Sequence, residues 1–319
     1  MGNHHSAHIR HSRKKKDNNC SIFKNTYKYI NGRKYFKNRD WINPLPVDEE
    51  ECDRSQLQHF LFHHIWEENF NSPVKQILEN GGKVLDISCG AGAWLLEMAT
   101  GYERTQFVGV DLVPIFPTEI KPHNLEFKRC DILNGLPFNN NEFDLVCIQN
   151  SSLCFTENQW KEIVIPEMVR VTKPNGWVEI MDVEFNIQNL PNNFEPLYNG
   201  FVKYCKLHDI NLEIVGRLGE LLQTHSLNQM TDFNEDSRKL LYYDTESHPE
   251  SPQINMVTKL SKENISSFYH TISPFILPIL GITKEECDEI TDTIDINFEK
   301  NKCFNNMHRF YARKKLPED

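Results

Sequence analysis

The run Val84-Leu-Asp-Ile-Ser-Cys-Gly-Ala-Gly92 sets a carboxylate, Asp86, at the end of an apolar segment and follows it with Gly90 and Gly92. Glycine presents no Cβ, so the backbone of such a loop lets a ligand approach closely. A helix opening behind the loop would point the free N–H groups of its first turn at the same place. The phosphate-binding version of this loop reads G-x-G-x-x-G. Here the sixth position is Leu95, and a carboxylate at the strand tip would repel a pyrophosphate. Both features disfavour a nicotinamide dehydrogenase and favour a cationic or hydroxyl-bearing ligand.

Two further carboxylates extend the pattern. Asp111 ends the next apolar run, 25 residues after Asp86, where a carboxylate binds both hydroxyls of a ribose. Asp131 follows a third run, Phe127-Lys-Arg-Cys-Asp131, where it can accept from the exocyclic amine of adenine. Read singly, each aspartate caps a turn as readily as it binds a ligand. Read in order, the three describe a nucleoside with a positive group and no phosphate. S-adenosylmethionine (SAM) fits that description.

The elements that must position these residues follow from the apolar pattern. Short apolar runs at 83–87, 106–110, 125–128, 143–148 and 177–181 predict strands, with helices at 93–99 and 159–171. Such alternation predicts a doubly wound parallel sheet covered on both faces. Right-handed connections then reverse the strand order beside the first strand and leave a crevice at its carboxyl end. Pro166 predicts a kink in the 159–171 helix.

Upstream, Pro44 and Pro46 predict extended chain, and a helix should start at Asp53, with Gln56 as its capping-box partner. Leu57, Phe60, Leu61 and Ile65 would form its apolar face. A second helix is expected from Ser72-Pro73 to Gly81-Gly82. Downstream, helices are expected at 194–208, 214–224, 265–280 and 284–298, a ragged strand within 227–244 and a last strand at 306–312. The chain therefore divides into a basic, disordered tail (1–26), a helical lead-in (27–80), an α/β core (81–185), cap helices with a late strand (186–300) and a final strand and tail (301–319).

Composition bounds the function. The 319 residues are 39% hydrophobic and 25% charged, with a mean hydropathy of -0.56. No run approaches the roughly 18 apolar residues of a membrane-spanning helix, and no apolar leader stands at the N-terminus. The nine cysteines are scattered, with no C-x-x-C pair. That pattern disfavours a disulfide framework or a zinc cluster and predicts a reducing, cytoplasmic setting, with the nucleus open as an alternative.

The formal charge of -10 conceals a split: residues 1–39 hold 11 Lys/Arg against Asp17 alone, and the remainder is strongly acidic. An acidic body disfavours nucleic acid. The head begins Met1-Gly2-Asn-His-His-Ser6, which fits the pattern for N-myristoylation of Gly2. One acyl chain binds a membrane only marginally, so the basic run Arg13–Lys16 would be the second signal, and the tail's expected partner is an anionic membrane surface.

The segments VLDISCGAGAW, FVGVDL, CDILNGLPF, FDLV and RVTKPNGWVEI resemble the successive motifs of class I SAM-dependent methyltransferases. YINGRK, LPVDEE and the DR-x-x-LQHF run ending at Phe60 resemble the lead-in of a fungal group that includes relatives of the velvet-complex regulators of secondary metabolism. Pro274–Gly281 and the closing RFYAR resemble its C-terminal region, so the likeness covers about residues 27–315. It implies a Rossmann-like seven-stranded sheet and a set of cofactor contacts. Asp86, Ser88 and Gly90 would face the methionine part, and Asp111 the ribose. Leu112 would pack on adenine, read by Asp131 and the Ile132 N–H. Gln149 and Asn150 would line the sulfonium end and the way in for substrate. Ser88 departs from the family, which has glycine there.

Methyl transfer from a sulfonium is an in-line displacement in which alignment supplies much of the acceleration. A general base is optional, and the pattern assigns no catalytic residue and no metal. The roof of the pocket is expected from 43–66 and the 186–300 helices. His59, His63 and His208 are candidate bases there, each equally readable as an ordinary helix histidine. Phe194, Tyr198, Phe201 and Tyr204 read as core packing. Two functions remain: a methyltransferase acting on a small molecule or protein, or a SAM-binding regulatory module with little activity. The sequence assigns no oligomeric state.

Overall fold

The computed structural model describes residues 27–37, 42–225, 229–244 and 252–316; Gly2 and the Arg13–Lys16 run lie outside them. The described chain opens with a hairpin, an element not expected within the lead-in. Strands β1 (Tyr27–Ile30) and β2 (Arg33–Phe36) pair antiparallel, turning through Asn31 and Gly32 at φ 49° and 83°. Asn-Gly suits this turn because both central residues need positive φ. Arg33 then grips Asp48 with Nε at 2.8 Å and Nη2 at 2.9 Å. Asp48, not Asp53, caps helix α1 (Glu49–Trp66), accepting from the Glu51 N–H. The helix therefore starts earlier than its apolar residues suggest. Its buried face carries Glu51, Arg54, Leu61, Phe62 and Trp66, while Phe60, expected inside, is 60% exposed.

Helix α2 (Lys75–Asn80) begins late, at Val74 rather than Ser72, and ends at Gly81, φ 108°. Ser72 is occupied elsewhere, as described below. Strand β3 (Lys83–Ile87) leads through the glycine loop to helix α3 (Ala93–Gly101), followed by β4 (Gln106–Asp111), β5 (Leu125–Arg129) and β6 (Phe143–Gln149). Leu95 is fully buried on α3. A Cβ on Gly109 of β4 would come within 2.5 Å of its Cδ1, so the leucine in the loop's sixth position is the knob that seats α3 on the sheet.

The kink expected at Pro166 takes the form of a π turn. Helix α4 (Glu157–Gln159) runs into a π-helical stretch, Trp160–Val164, and then α5 (Ile165–Val171). The wider turn, with the Ile165 N–H reaching the Trp160 carbonyl, absorbs the donor that proline lacks. Strand β7 (Thr172–Val183) returns through the sheet. Then come α6 (Glu195–Leu207), α7 (Leu218–His225), β8 (Met230–Leu241) and α8 (Pro252–Leu280). α8 starts ahead of the expected 265 and contains Pro274 and Pro278; Ser273 Oγ donates at 2.8 Å to the His270 carbonyl that Pro274 leaves without its helical partner. The single helix expected over 284–298 is two, α9 (Lys284–Thr291) and α10 (Ile294–Asn301), before the last strand, β9 (Phe304–Lys314).

The main sheet has seven strands in the order β5-β4-β3-β6-β7-β9-β8. It is parallel from β5 to β7, and β9 runs antiparallel to both β7 and β8. The order reverses beside β3, which opens the crevice that doubly wound sheets use for ligands. α5 and α7 cover one face around Met168 and Leu218, and α2 and α3 the other around Leu78 and Met98. A separate aromatic core, with Phe194, Phe201, Tyr269 and Phe298, joins α6, α8 and α10 to the C-terminal end of α1. Among the described residues, no helix is long and apolar enough to cross a membrane.

One buried carboxylate ties these layers together. Glu179 on β7 is 3% exposed and accepts from the Asn71 and Ser72 N–H groups and from Ser72 Oγ at 2.6 Å. Its other neighbour is the buried Arg309 of β9, 3.9 Å away. Arg309 in turn donates to Asn71 Oδ1 at 2.6 Å and lies 4.5 Å over the Trp66 ring. Glu179→Ala strands two backbone donors and a cation together, so about 3–5 kcal/mol of stability should be lost, read as a lower urea midpoint. Glu179→Gln, which keeps an acceptor, should lose clearly less.

Candidate active site

A cavity of about 500 Å³ lies at the carboxyl ends of β3, β4, β6 and β7, within the range of small-molecule sites. Asp86, Ser88, Gly90, Gly92, Asp111, Leu112, Asp131, Ile132, Gln149 and Asn150 all line it. The sheet brings together residues spread over 65 positions of sequence because successive parallel strands end at one edge.

The glycine loop is tightly built. Ser88 holds φ 56°, the left-handed conformation that favours glycine. Gly92 opens α3 at φ 79°, and a Cβ there would stand 2.5 Å from the Phe127 ring. Asp111 braces the loop, with Oδ2 accepting from the Gly90 N–H and Oδ1 from the Val113 N–H, both at 2.8 Å. Burial pushes the Asp111 carboxyl above its ordinary range, against these backbone donors.

Asp86 has no such relief. It is 4% exposed, and among the described residues nothing donates a hydrogen bond to its carboxylate. Burial, reinforced by neighbouring Asp111, drives it well above the usual carboxylate range. A buried carboxylate without a partner is a built demand for a cation, so the residues present fit the ammonium and sulfonium charges of SAM. Asp131 is different: it accepts from the Leu133 N–H at 3.0 Å and from Asn134 Nδ2 at 2.9 Å, capping its own turn while lining the cavity.

The floor beyond β6 is pinned by a residue that the sequence reading missed. Asp182, at the end of β7, accepts from the Ser151 and Ser152 N–H groups and from Ser152 Oγ at 2.8–2.9 Å. Burial raises its carboxyl to about 6 despite these donors. Held this way, the chain after Gln149 turns at Asn150, φ 49°, along the cavity edge.

The roof comes from α1, α8 and the strands behind them. The inward stripe of α1 is polar, formed by Glu51, Arg54, Ser55, Gln58, His59 and His63. Arg54 pairs with Glu51 at 2.6 Å and reaches Asn264 of α8 at 3.0 Å. His59 Nε2 lies 2.7 Å from Glu97 Oε2 on α3, and Asn69 Nδ2 donates to Glu97 Oε1 at 2.7 Å. A sequence signal existed, the polar series at 51, 55, 59 and 63, but apolar periodicity drew attention to the other face. Of the three candidate bases, His59 and His63 line the cavity; His208 instead stacks on Tyr204, ring centres 4.1 Å apart, outside it. Phe194, Phe201 and Tyr204 are buried core residues.

Comparison with known proteins agrees with this geometry. Residues 84–176 match the model of a methyltransferase domain. The secondary metabolism regulator laeA of Coprinopsis cinerea is 31% identical over 160 residues, which cover 49% of this chain and 39% of that protein. The protein-methionine methyltransferase laeA of Emericella nidulans is 30% identical over 165 residues, 51% of this chain and 42% of that one. Methyltransferase str3 of Strobilurus tenacellus is 25% identical over 233 residues, covering 70% and 77%. The strand order, the site and the matched domain define a class I SAM-dependent methyltransferase domain. The chain is related to the laeA regulators of fungal secondary metabolism, and it spans about two fifths of the length of those it matches.

Because the folded state raises the Asp86 pKa, the stability that protonated Asp86 contributes is lost as pH rises above the ordinary carboxylate range. Asp86→Asn should therefore gain in melting temperature over the wild type as pH rises, while SAM affinity falls about tenfold or more with the lost charge pair. Thermal scans from pH 4 to 8 and calorimetric titration would read the two opposite effects.

Proposed function

We propose that the protein is a SAM-dependent methyltransferase whose acceptor, a small molecule or a protein side chain, enters between the strand tips and the roof. The observation that carries this reading is the unpartnered Asp86 beside Asp111 in a cavity lined by both. In this reading Asp111 accepts from the ribose hydroxyls, and Asp86, with the backbone of Ser88, Gly90 and Gly92, holds the methionine end. Leu112 packs on adenine, with Asp131 and the Ile132 N–H at its edge. Gln149 and Asn150 flank the reacting end.

When bound, the cofactor supplies an electrophilic methyl on a good leaving group. The chain aligns the acceptor with it and keeps water out, work to which proximity and orientation contribute most. The roof supplies the dry walls, with Phe62, Phe268 and Tyr269 facing the same cavity as the loop glycines. One relative carries protein-methionine methyltransferase as its name, and protein acceptors therefore belong in the test.

Purified protein incubated with tritium-labelled SAM and a fungal extract should form S-adenosylhomocysteine and a labelled product, and Asp111→Ala should abolish both. Tight SAM binding with no product would instead support a regulatory module that works through contacts.

A further inference from the structure

One cluster at the edge of the cavity, with His59, His63 and Asn69 lining it and Glu97 behind them, is used neither by the fold's core nor by the cofactor contacts above. Glu97 stands on α3 with His59 Nε2 at 2.7 Å, Asn69 Nδ2 at 2.7 Å and His63 Nδ1 at 3.3 Å. Burial pushes Glu97 up, but hydrogen bonds from Asn69 and His59 outweigh it and hold the carboxyl below its ordinary value. Trp94 Nε1 donates to the Asn69 carbonyl at 2.9 Å, fixing Asn69 in turn.

An ionised Glu97 orients the His59 ring and accepts the Nε2 proton. The other nitrogen, Nδ1, then carries a lone pair, and among the described residues it has no hydrogen-bond partner. The His59 side chain is 12% exposed and lines the cavity. Burial, opposed by Glu97, lowers the pKa of the ring and so favours its neutral form. A neutral imidazole with one nitrogen on a carboxylate and the other free is the arrangement of a general base with its orienting group. The same carboxylate argues against a seat for the carboxylate of the cofactor, which Glu97 would repel.

We propose that His59, oriented by Glu97, is the general base of the transfer, and that the acceptor is a small, largely apolar molecule whose nucleophile is a hydroxyl group. This rests on the methyltransferase reading. The acceptor's O–H proton passes to His59 Nδ1 as its oxygen forms a bond to the methyl carbon. The S–CH3 bond breaks with its electron pair returning to sulfur, which leaves a neutral thioether. His59 ends as an imidazolium paired with Glu97. A thioether acceptor has no proton to give and would leave this pair without a task. The aromatic and aliphatic walls, Phe62, Met181, Leu240 and Phe268, suit an apolar acceptor.

The test uses the full chain, tritium-labelled SAM and three probes: 2-naphthol, benzylamine and N-acetylmethionine amide. Label should pass to 2-naphthol and not to the thioether. His59→Gln and Glu97→Gln should each slow that transfer about a hundredfold while the calorimetric Kd for SAM stays within twofold. The acidic limb of the wild-type pH–rate profile should vanish in His59→Gln and move to lower pH in Glu97→Gln, a change that lost packing would not cause. Nitrogen-15 NMR should show His59 neutral at pH 7 with the proton on Nε2. Transfer to the thioether alone, to the amine alone or to no probe, unchanged rates in His59→Gln, or a proton on Nδ1 would each overturn the proposal. Failure of the wild type to bind SAM would overturn the methyltransferase reading beneath it.

Discussion

A single buried carboxylate sets where the roof can sit. Glu179 lies on β7 in the same register row as Asp86, with Cys147 of β6 between them, and takes its hydrogen bonds from the chain between α1 and α2. Arg309 completes the arrangement from β9, under the ring of Trp66 at the end of α1. Three parts of the sequence, about residues 66–72, 179 and 309, thus meet at one point. Burying an ion in this way costs several kcal/mol that only full satisfaction of its lone pairs can offset. For Glu179 the structure supplies much of that satisfaction with two backbone donors, which have no alternative rotamer, and the rest with Ser72 Oγ. α1 is therefore fixed to the sheet at its C-terminal end and to the hairpin, through Arg33 and Asp48, at its N-terminal end.

With α1 fixed at both ends, its middle is free to carry polar groups inward. That explains how a helix with weak apolar patterning folds at all. Its stability comes from tertiary anchoring, as is usual for helices in proteins. The two carboxylates of the site are treated in opposite ways. Asp111 spends most of its lone pairs on the glycine loop and so is structural before it meets any ligand. Asp86 spends none, and the cost of keeping it buried is a standing preference for a positively charged guest.

The sheet was legible because buried parallel strands read as short apolar runs, and the carboxylates because their tips fall at regular intervals. All five expected core strands are present, and the ten expected cofactor contacts line one cavity. What escaped had competing physics. The Asn31-Gly32 hairpin was overlooked inside a charged stretch, although its turn chemistry was plain. Phe60 was read as core from its helical spacing with Leu57, Leu61 and Ile65, but much of the inward face of α1 is polar and Phe60 falls outside it. Ser72 did not cap α2 because Glu179, over a hundred residues away, claims its hydroxyl and its N–H. Asp182 lies just past the strand expected at 177–181 and carries no motif, and only the turn of Ser151 and Ser152 back upon it reveals its role. Long-range polar contacts of this kind leave no periodic trace.

The polar contact between α1 and α3 has a further consequence. Between α1 and α8 the contact is mixed, with Phe62 and Phe268 facing the cavity beside the Arg54–Asn264 pair, and parting its aromatic portion would expose apolar surface at a cost that grows with area. Where the roof meets α3, the join consists of His59, His63, Asn69 and Glu97. Water can replace those bonds, at a cost of about 1.5–3 kcal/mol each where the partner is the ionised Glu97 carboxylate. The chamber thus has an apolar side and a polar seam, and the two respond differently to water. The seam stands against α3, the helix that the glycine loop opens, so the wall nearest the loop is the wettable one.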